Sequence, residues 1–307
     1  MIVDGLVLKS TGSWYDVKSD SGDLFRCRLR GRLKLKGIKT TNPIAVGDHV
    51  RFSIDDHGEG IISEILPRTN YLIRKSTKKS SQAHIIAANI DQAILVASLI
   101  YPRTSVGFID RYLVSADSFR IPAKIIFNKS DLLNDSLREL HDYLAKVYHD
   151  IGYENILISA EKDSDLNMVR SWLQGQKSLM SGHSGVGKST ILNRINPDLQ
   201  LPTDEVSDFA NKGKHTTTFA QMFELEENTY VIDTPGIKEL GLIDMESWEI
   251  SHYFPEMRDK LGECKFKNCL HINEPGCVIL DALEREEIAE TRYDSYVSMI
   301  IDDDNRR

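Results

Sequence analysis

The chain has 307 residues, a net charge of −8 and 41% hydrophobic residues. That length suits two or three domains, and the acidic balance excludes a chain-wide polycation, so any nucleic-acid surface must be a local patch. Met1-Ile2-Val3-Asp4-Gly5-Leu6 lacks the basic and apolar regions of a signal peptide, and no run approaches the roughly 18 apolar residues of a membrane span, so a cytoplasmic protein with no membrane partner is expected.

Residues 1 to about 68 read as short strands separated by turns. Leu6-Val7-Leu8 precedes the turn Ser10-Thr11-Gly12-Ser13, and Trp14-Tyr15-Asp16-Val17 precedes the polar run Ser19 to Asp23. A strictly alternating stretch follows. Arg26, Arg28, Arg30, Arg32, Lys34 and Lys36 interleave with Cys27, Leu29, Gly31, Leu33 and Leu35. A period of two places the charges on one strand face and the apolar set on the other. Ala45 to Phe52 and Gly60 to Leu66 add two more strands. About five short strands suit a small barrel such as an OB-fold. The run 26–39 holds seven basic residues and no acid. A solvated sheet face would explain it blandly, whereas a one-sided basic strip in an acidic chain points to phosphate neutralisation. Arg68 to Lys79 adds basic charge and reads as a linker that also faces nucleic acid.

The middle of the chain alternates apolar runs with helical spacing. Ile90 to Ser98 reads as a buried strand, and Phe108 to Leu113 begins a helix. The strand Ala123-Lys124-Ile125-Ile126-Phe127 delivers Asn128-Lys129-Ser130-Asp131. N-K-x-D at a strand end reads guanine: its N1–H and 2-amino group are adjacent donors, and the Asp131 carboxylate accepts both. Adenine lacks that pair and would leave the carboxylate unpaired. Asn128 would bond the base and tether loops, and the Lys129 stem would cover the ring. A helix over 137–148 and a strand at Asn155 to Ile158 lead to Ser159-Ala160-Glu161, the supporting guanine loop of the same fold.

Gly182-His183-Ser184-Gly185-Val186-Gly187-Lys188-Ser189, followed by Thr190, reads G-x-x-x-x-G-K-S between a strand and a helix. Backbone N–H groups and the helix start would cradle phosphates. Lys188 would reach the β and γ phosphates, and Ser189 would ligate Mg²⁺ accompanying GTP. Asn211 to Thr218 reads as a switch loop in which Thr217 or Thr218 completes the Mg²⁺ shell. The strand Thr229 to Ile232 ends in Asp233-Thr234-Pro235-Gly236, giving a second Mg²⁺-linked residue, Asp233, and a γ-phosphate contact, Gly236.

N-K-x-D and S-A-x precede the phosphate loop here, whereas an ordinary GTPase places them after it. The cycle of motifs is intact but opened elsewhere, which is a circular permutation. The second switch therefore leads directly into the C-terminal segment, on which a γ-phosphate-dependent shift would pull. This order, the basic barrel before it and the cysteine cluster after it resemble the RsgA (YjeQ) family of circularly permuted GTPases, over nearly the whole chain. The resemblance implies late maturation of the small ribosomal subunit, contact with its rRNA, and GTP hydrolysis to GDP stimulated by the ribosome.

Ile237 stands where many GTPases carry a water-orienting Gln. Slow intrinsic hydrolysis is expected, with His215 a candidate for help, or equally for positioning or RNA contact. An RNA-binding assembly factor using GTP only as a conformational ligand is the alternative, and a translation or tRNA-modification GTPase is another.

Cys264, Cys269, His271 and Cys277 have the spacing C-x4-C-x-H-x5-C. Three thiolates and an imidazole suit a closed, structural Zn²⁺ site that would anchor a segment short of its own core. The resembled family carries this spacing as its zinc site. Cys27 is expected to be a packing residue. Leu280 to Ile301 has helical spacing, with Leu283, Ile288, Tyr296, Val297 and Ile300 apolar, and Asp302 to Arg307 is expected to be a frayed tail. The expected fold is multidomain α/β: an OB-like barrel at 1–68, a permuted P-loop GTPase domain at 69–240, and a zinc-binding helical domain at 241–307, acting as a monomer.

Overall fold

The structure is a computed structural model describing residues 2–30, 43–75, 83–163, 166–203, 220–233 and 245–301. In chain order the strands are β1 (Ile2–Ser10), β2 (Tyr15–Ser19), β3 (Leu24–Leu29), β4 (His49–Ile54), β5 (Gly60–Ile65), β6 (Tyr71–Lys75), β7 (Ala83–Ala88), β8 (Gln92–Ala97), β9 (Ala123–Phe127), β10 (Asn155–Leu157), β11 (Lys177–Ser181), β12 (Gln221–Glu226) and β13 (Thr229–Asp233). The helices are α1 (Val106–Ser118), α2 (Asp135–Asp150), α3 (Asn167–Leu173), α4 (Lys188–Ile195), α5 (Pro255–Arg258), α6 (Val278–Glu284) and α7 (Glu290–Ile301). None of these helices is long and apolar enough to cross a membrane. The chain divides into two compact units, one of residues 1–93, 164–181 and 188–237, the other of 94–163, 182–187 and 238–307.

In the first unit the five N-terminal strands close into a barrel. β1 pairs antiparallel with both β2 and β4, β2 with β3, and β4 with β5, while β3 and β5 run parallel. The circuit β1-β2-β3-β5-β4-β1 is that of an OB-fold, with no free edge among these strands. Alternation decides what fills it. Val7, Tyr15, Val17, Cys27, Ile44, Val50, Phe52 and Ile62 form its buried core. Cys27 is fully enclosed, and burial pushes its thiol up to about 12, so it packs as an apolar residue. Arg26, Arg28 and Arg30 are exposed on either side of Cys27 and Leu29. The remainder of the basic strip, Arg32, Lys34, Lys36 and Lys39, lies outside the described residues.

Arg68 does not face solvent. Its Nε and Nη2 each lie 2.6 Å from the Asp48 carboxylate, and Nη2 also donates to the Pro43 carbonyl at 2.7 Å. The Asp48 side chain is 0% exposed, and this fork satisfies both of its buried oxygens. Next, Tyr71–Lys75 is not a linker but one strand of a hairpin with β7. Removing the guanidinium would strand a buried carboxylate. Arg68→Ala is therefore expected to lower unfolding free energy by about 3 kcal/mol in urea titration; a loss below about 1 kcal/mol, that of an exposed pair, would contradict this role. The same unit carries β11 parallel to β13, β12 antiparallel to β13, and a pairing of β12 with β1 at Lys9 and Gln221.

The second unit contains the strand order β10-β9-β8, with β9 and β10 parallel. Ser105 caps α1 by accepting from the Phe108 N–H, and Asn134 caps α2 by accepting from the Leu137 N–H. The C-terminal segment brings more core than its length suggested. Ile250, Phe254, Met257, Ile279, Ala282, Ile288, Tyr296 and Met299 are buried together, with Val114 of α1 in the same cluster. The expected helix over 280–301 is two helices, α6 and α7, with Glu286 at φ 58° between them. At about 100° per residue, Ile288 on a single helix would point about 120° away from Ala282. The break lets both enter one core.

Candidate functional site

Three loops of the second unit converge on Asn128. The apolar strand β9 leads directly into this residue, whose N–H donates to the Ala97 carbonyl at 2.8 Å. Its side chain, 3% exposed, is used at both ends. Nδ2 donates to the Val186 carbonyl in the phosphate loop at 2.7 Å, and Oδ1 accepts from the Ala160 N–H at 2.8 Å. One amide thus ties N-K-S-D to both the phosphate loop and the S-A-E loop. An amide suits this place because it donates and accepts at once.

Asp131 is exposed at its own surface, and its Oδ1 accepts the Ser159 hydroxyl at 2.6 Å. That bond orients the carboxylate and leaves its other lone pairs open. Ser130 N–H donates to Ile158 O at 3.0 Å, joining this loop to the end of β10. Lys129 takes the left-handed conformation, φ 71°, and its Nζ donates to the Tyr101 carbonyl at 3.1 Å. Glu161 is exposed. Asp163 is a residue the motif reading missed: its carboxylate accepts from the Ser159 N–H at 2.6 Å. Only the S-A-x loop's need for a local acceptor could have pointed to it.

The phosphate loop, 182–187, needs glycine at two positions for separate reasons. At Gly182, φ 146°, an added Cβ would run into the Val96 carbonyl. At Gly187, φ 103°, it would run into the Asn128 amide, breaking the tether described above. Val186 is fully buried beneath the loop, and Ser184 is exposed on it. His183 lies against Phe108 of α1, ring centroids 4.2 Å apart and planes at 36°; Phe108 is another residue missed from sequence. The chain passes from Gly187 directly into α4, whose first turn carries Lys188, Ser189 and Thr190. Asp233 ends β13. Gly236, His215, Thr217 and Thr218 lie outside the described residues.

A second cluster sits in the C-terminal segment of the same unit. The ligand atoms of Cys264, Cys269, His271 and Cys277 all lie within 4.8 Å of one another. Cys264 Sγ is 3.5 Å from His271 Nδ1 and 3.9 Å from Cys277 Sγ, and His271 Nδ1 is 3.3 Å from Cys277 Sγ. A tetrahedral ion at ordinary metal–sulfur and metal–nitrogen distances would require about 3.8 Å and about 3.5 Å for such pairs. Burial pushes the Cys269 thiol up to about 12, raises Cys277 and lowers His271. The neutral imidazole is ready to ligate, while thiolates there need a cation to stabilise them. The donor set and spacing fit a four-coordinate metal.

Glu274, within this loop, also escaped the motif reading. Its carboxylate accepts from the N–H groups of Leu270, Ile272 and Asn273 at 2.8–3.1 Å. Burial works to raise its pKa, but the backbone donors prevail and hold it at about 2. Tyr293 and Tyr296 of α7 donate hydroxyls to the carbonyls of His271 and Leu270 at 2.9 and 2.7 Å. The metal loop is therefore fixed from within and from α7.

These features match known proteins over the whole chain. The profile of the RsgA N-terminal domain matches residues 4–62, and that of the RsgA GTPase matches 65–243. A small ribosomal subunit biogenesis GTPase RsgA of Cytophaga hutchinsonii is 53% identical over 305 residues, covering 99% of each chain. One of Bacteroides fragilis is 50% identical over 300 residues, covering 97% of this chain and 96% of its own. Among solved structures, YjeQ from Thermotoga maritima superposes with a TM-score of 0.79 at 34% identity, covering 98% of each chain. YloQ, described as a circularly permuted GTPase, gives 0.76 at 30% identity, covering all of this chain and 96% of its own.

Proposed function

The chain belongs to the RsgA family of circularly permuted GTPases, and on that premise we propose that it hydrolyses GTP during late maturation of the small ribosomal subunit. The observation that carries this reading is the Asn128 side chain, bonded at once to the phosphate loop and the S-A-E loop. It supports a single nucleotide site assembled from the permuted motifs. In that site Asp131 reads guanine, Asn128 and Ser159 to Glu161 hold the loops, Lys129 covers the base, and Gly182 to Thr190 receives the phosphates.

Catalysis in this class is positioning plus charge stabilisation. The amides of the phosphate loop and Lys188 would meet charge developing on the β and γ phosphates. Ser189 and Asp233 would hold Mg²⁺, whose chemistry when bound is to neutralise phosphate charge. Thr217 or Thr218, Gly236 and His215 would answer to the γ-phosphate. Ile237 cannot orient water, so a partner or another residue, with His215 a candidate, must complete the site. The four metal ligands would hold Zn²⁺ in a structural role: four protein donors leave no coordination position for substrate.

The three-part division, 1–68, 69–240 and 241–307, is kept as a division of labour. The barrel grips rRNA through exposed Arg26, Arg28 and Arg30. Two features temper that grip: Arg28 lies 3.4 Å from Asp55, and the Arg26 guanidinium stacks 4.4 Å over Trp14. The metal segment would touch rRNA as well. The protein works as a cytoplasmic monomer cycling between GTP and GDP. Multiple-turnover phosphate release, with and without isolated small subunits, tests the reading. Stimulation of at least tenfold by small subunits and none by tRNA is expected; equal rates in all three conditions would refute it.

A further inference from the structure

The second unit contains a buried charge cluster that the nucleotide chemistry does not use. Arg292 of α7 is 0% exposed. Its Nη1 donates to Asp110 Oδ1 at 2.7 Å, and its Nε and Nη2 donate to the Glu256 carboxylate at 2.7 and 3.3 Å. Tyr148 of α2 donates its hydroxyl to the same Asp110 oxygen at 2.9 Å, and the Phe254 ring lies 4.4 Å from the guanidinium. Two buried carboxylates and one buried guanidinium are weak evidence for stability, since desolvation offsets their attraction. The clasp ties α7 to α1 through Asp110 and to α5 through Glu256.

Contacts leave this cluster in two directions. Asp110 and Phe108 are two residues apart on α1, so they point about 200° apart, to opposite sides of the helix. Asp110 holds Arg292 on one side. On the other, Phe108 lies against the phosphate-loop His183. Next to Arg292 on α7, Tyr293 bonds the carbonyl of the metal ligand His271. Helix α1 is therefore wedged between the phosphate loop and the segment that carries the metal. A continuous chain of contacts thus runs from α7 through Asp110 and α1 to Phe108 and His183.

Resting on the nucleotide and metal sites proposed above, we infer that Phe108 is a positioning residue for the phosphate loop, and that the metal segment sets its position through the Arg292–Asp110 clasp. The order of the metal segment and the affinity for GTP are then coupled. By linkage the coupling is reciprocal: bound GTP strengthens metal binding by the same factor by which bound metal strengthens GTP binding.

A double-mutant cycle read as GTP affinity of the full-length protein tests this. If the contact is made only in the GTP-bound state, its full aromatic-pair strength corresponds to about a fivefold change in affinity. Phe108→Ala and Arg292→Lys, which keeps the charge but cannot bridge both carboxylates, are each expected to weaken GTP about fivefold. The double variant is expected to show that same loss. Independent residues would instead multiply to about twenty-five-fold, and that result would overturn the inference, as would two silent single variants. If Arg292→Lys does not fold, by circular dichroism and thermal melting, Tyr293→Phe takes its place in the cycle. The second readout is equilibrium competition for the metal with a chromogenic chelator. A GTP analogue should shift that equilibrium toward the protein in the natural sequence and not in Phe108→Ala; the same shift in both would overturn the coupling. Asp131→Asn separates the layers. If it abolishes GTP binding while Phe108→Ala is silent, the nucleotide site stands and the inference falls.

Discussion

Asp131→Asn is expected to lower GTP affinity about a thousandfold and to turn the site toward xanthosine nucleotides. The carboxylate is acceptor-only and meets two adjacent donors on guanine. Asn keeps one acceptor and turns the other into a donor facing a donor. Two hydrogen bonds to a charged group contribute about 1.5–3 kcal/mol each, so a loss of about 4 kcal/mol is reasonable, or about three decades. Xanthine carries a carbonyl where guanine carries its amine, and the new amide donor suits it. The fold should survive, because Asn can still accept the Ser159 hydroxyl that now orients Asp131 at 2.6 Å. Fluorescent GTP and XTP titrations, with a thermal melt as control, measure all three. GTP affinity within threefold of the natural protein would remove Asp131 from the base-reading role.

Cys269→Ser is expected to weaken the metal site, and prolonged chelation of that variant to empty it and release the loop 264–277. Structural zinc sites contribute about 10–16 kcal/mol in small peptides, so loss of one thiolate should weaken the metal by about 3 kcal/mol, or about two decades. The damage should be confined. Phe254, Ile279, Tyr296 and Met299 give the segment a buried core, and Arg292 clasps α7 to α1. Hydrogen exchange should therefore show amides of the loop unprotected and those of α7 protected to within tenfold. Global loss of protection across α7 would mean that the metal, not the core, holds the segment. Metal content by mass spectrometry completes the test, and zinc is the ion expected.

Much of the site was legible because its chemistry demands particular residue types at short spacing. Asn128 and Asp131 are three residues apart on one loop, and the phosphate loop is contiguous, so both could be read without a fold. Asp163, Glu274 and Phe108 were not legible. Each acts through one bond or contact to a motif residue, and a lone Asp, Glu or Phe carries no spacing signal. Arg68 was misread for a related reason. Within a basic run it looked like surface charge, and only barrel closure brings Asp48 against it. The break between α6 and α7 likewise depends on a shared core, since helical periodicity over 280–301 says nothing of where two turns must meet.

Taken alone, the amino-acid sequence determined the motifs and their order: an alternating basic run, N-K-S-D and S-A-E ahead of a glycine-rich G-K-S loop, and three cysteines and a histidine at metal-ligand spacing. Those readings rest on contiguous residues, and contiguity survives in any fold. Only the tertiary structure decided that one amide, Asn128, unites loops some sixty residues apart, and that Arg292 and Asp110, 182 residues apart, join the metal segment to the helix beside the phosphate loop. Long-range pairs leave no periodic trace in a single sequence, because their partners are chosen by packing and desolvation rather than by chain distance.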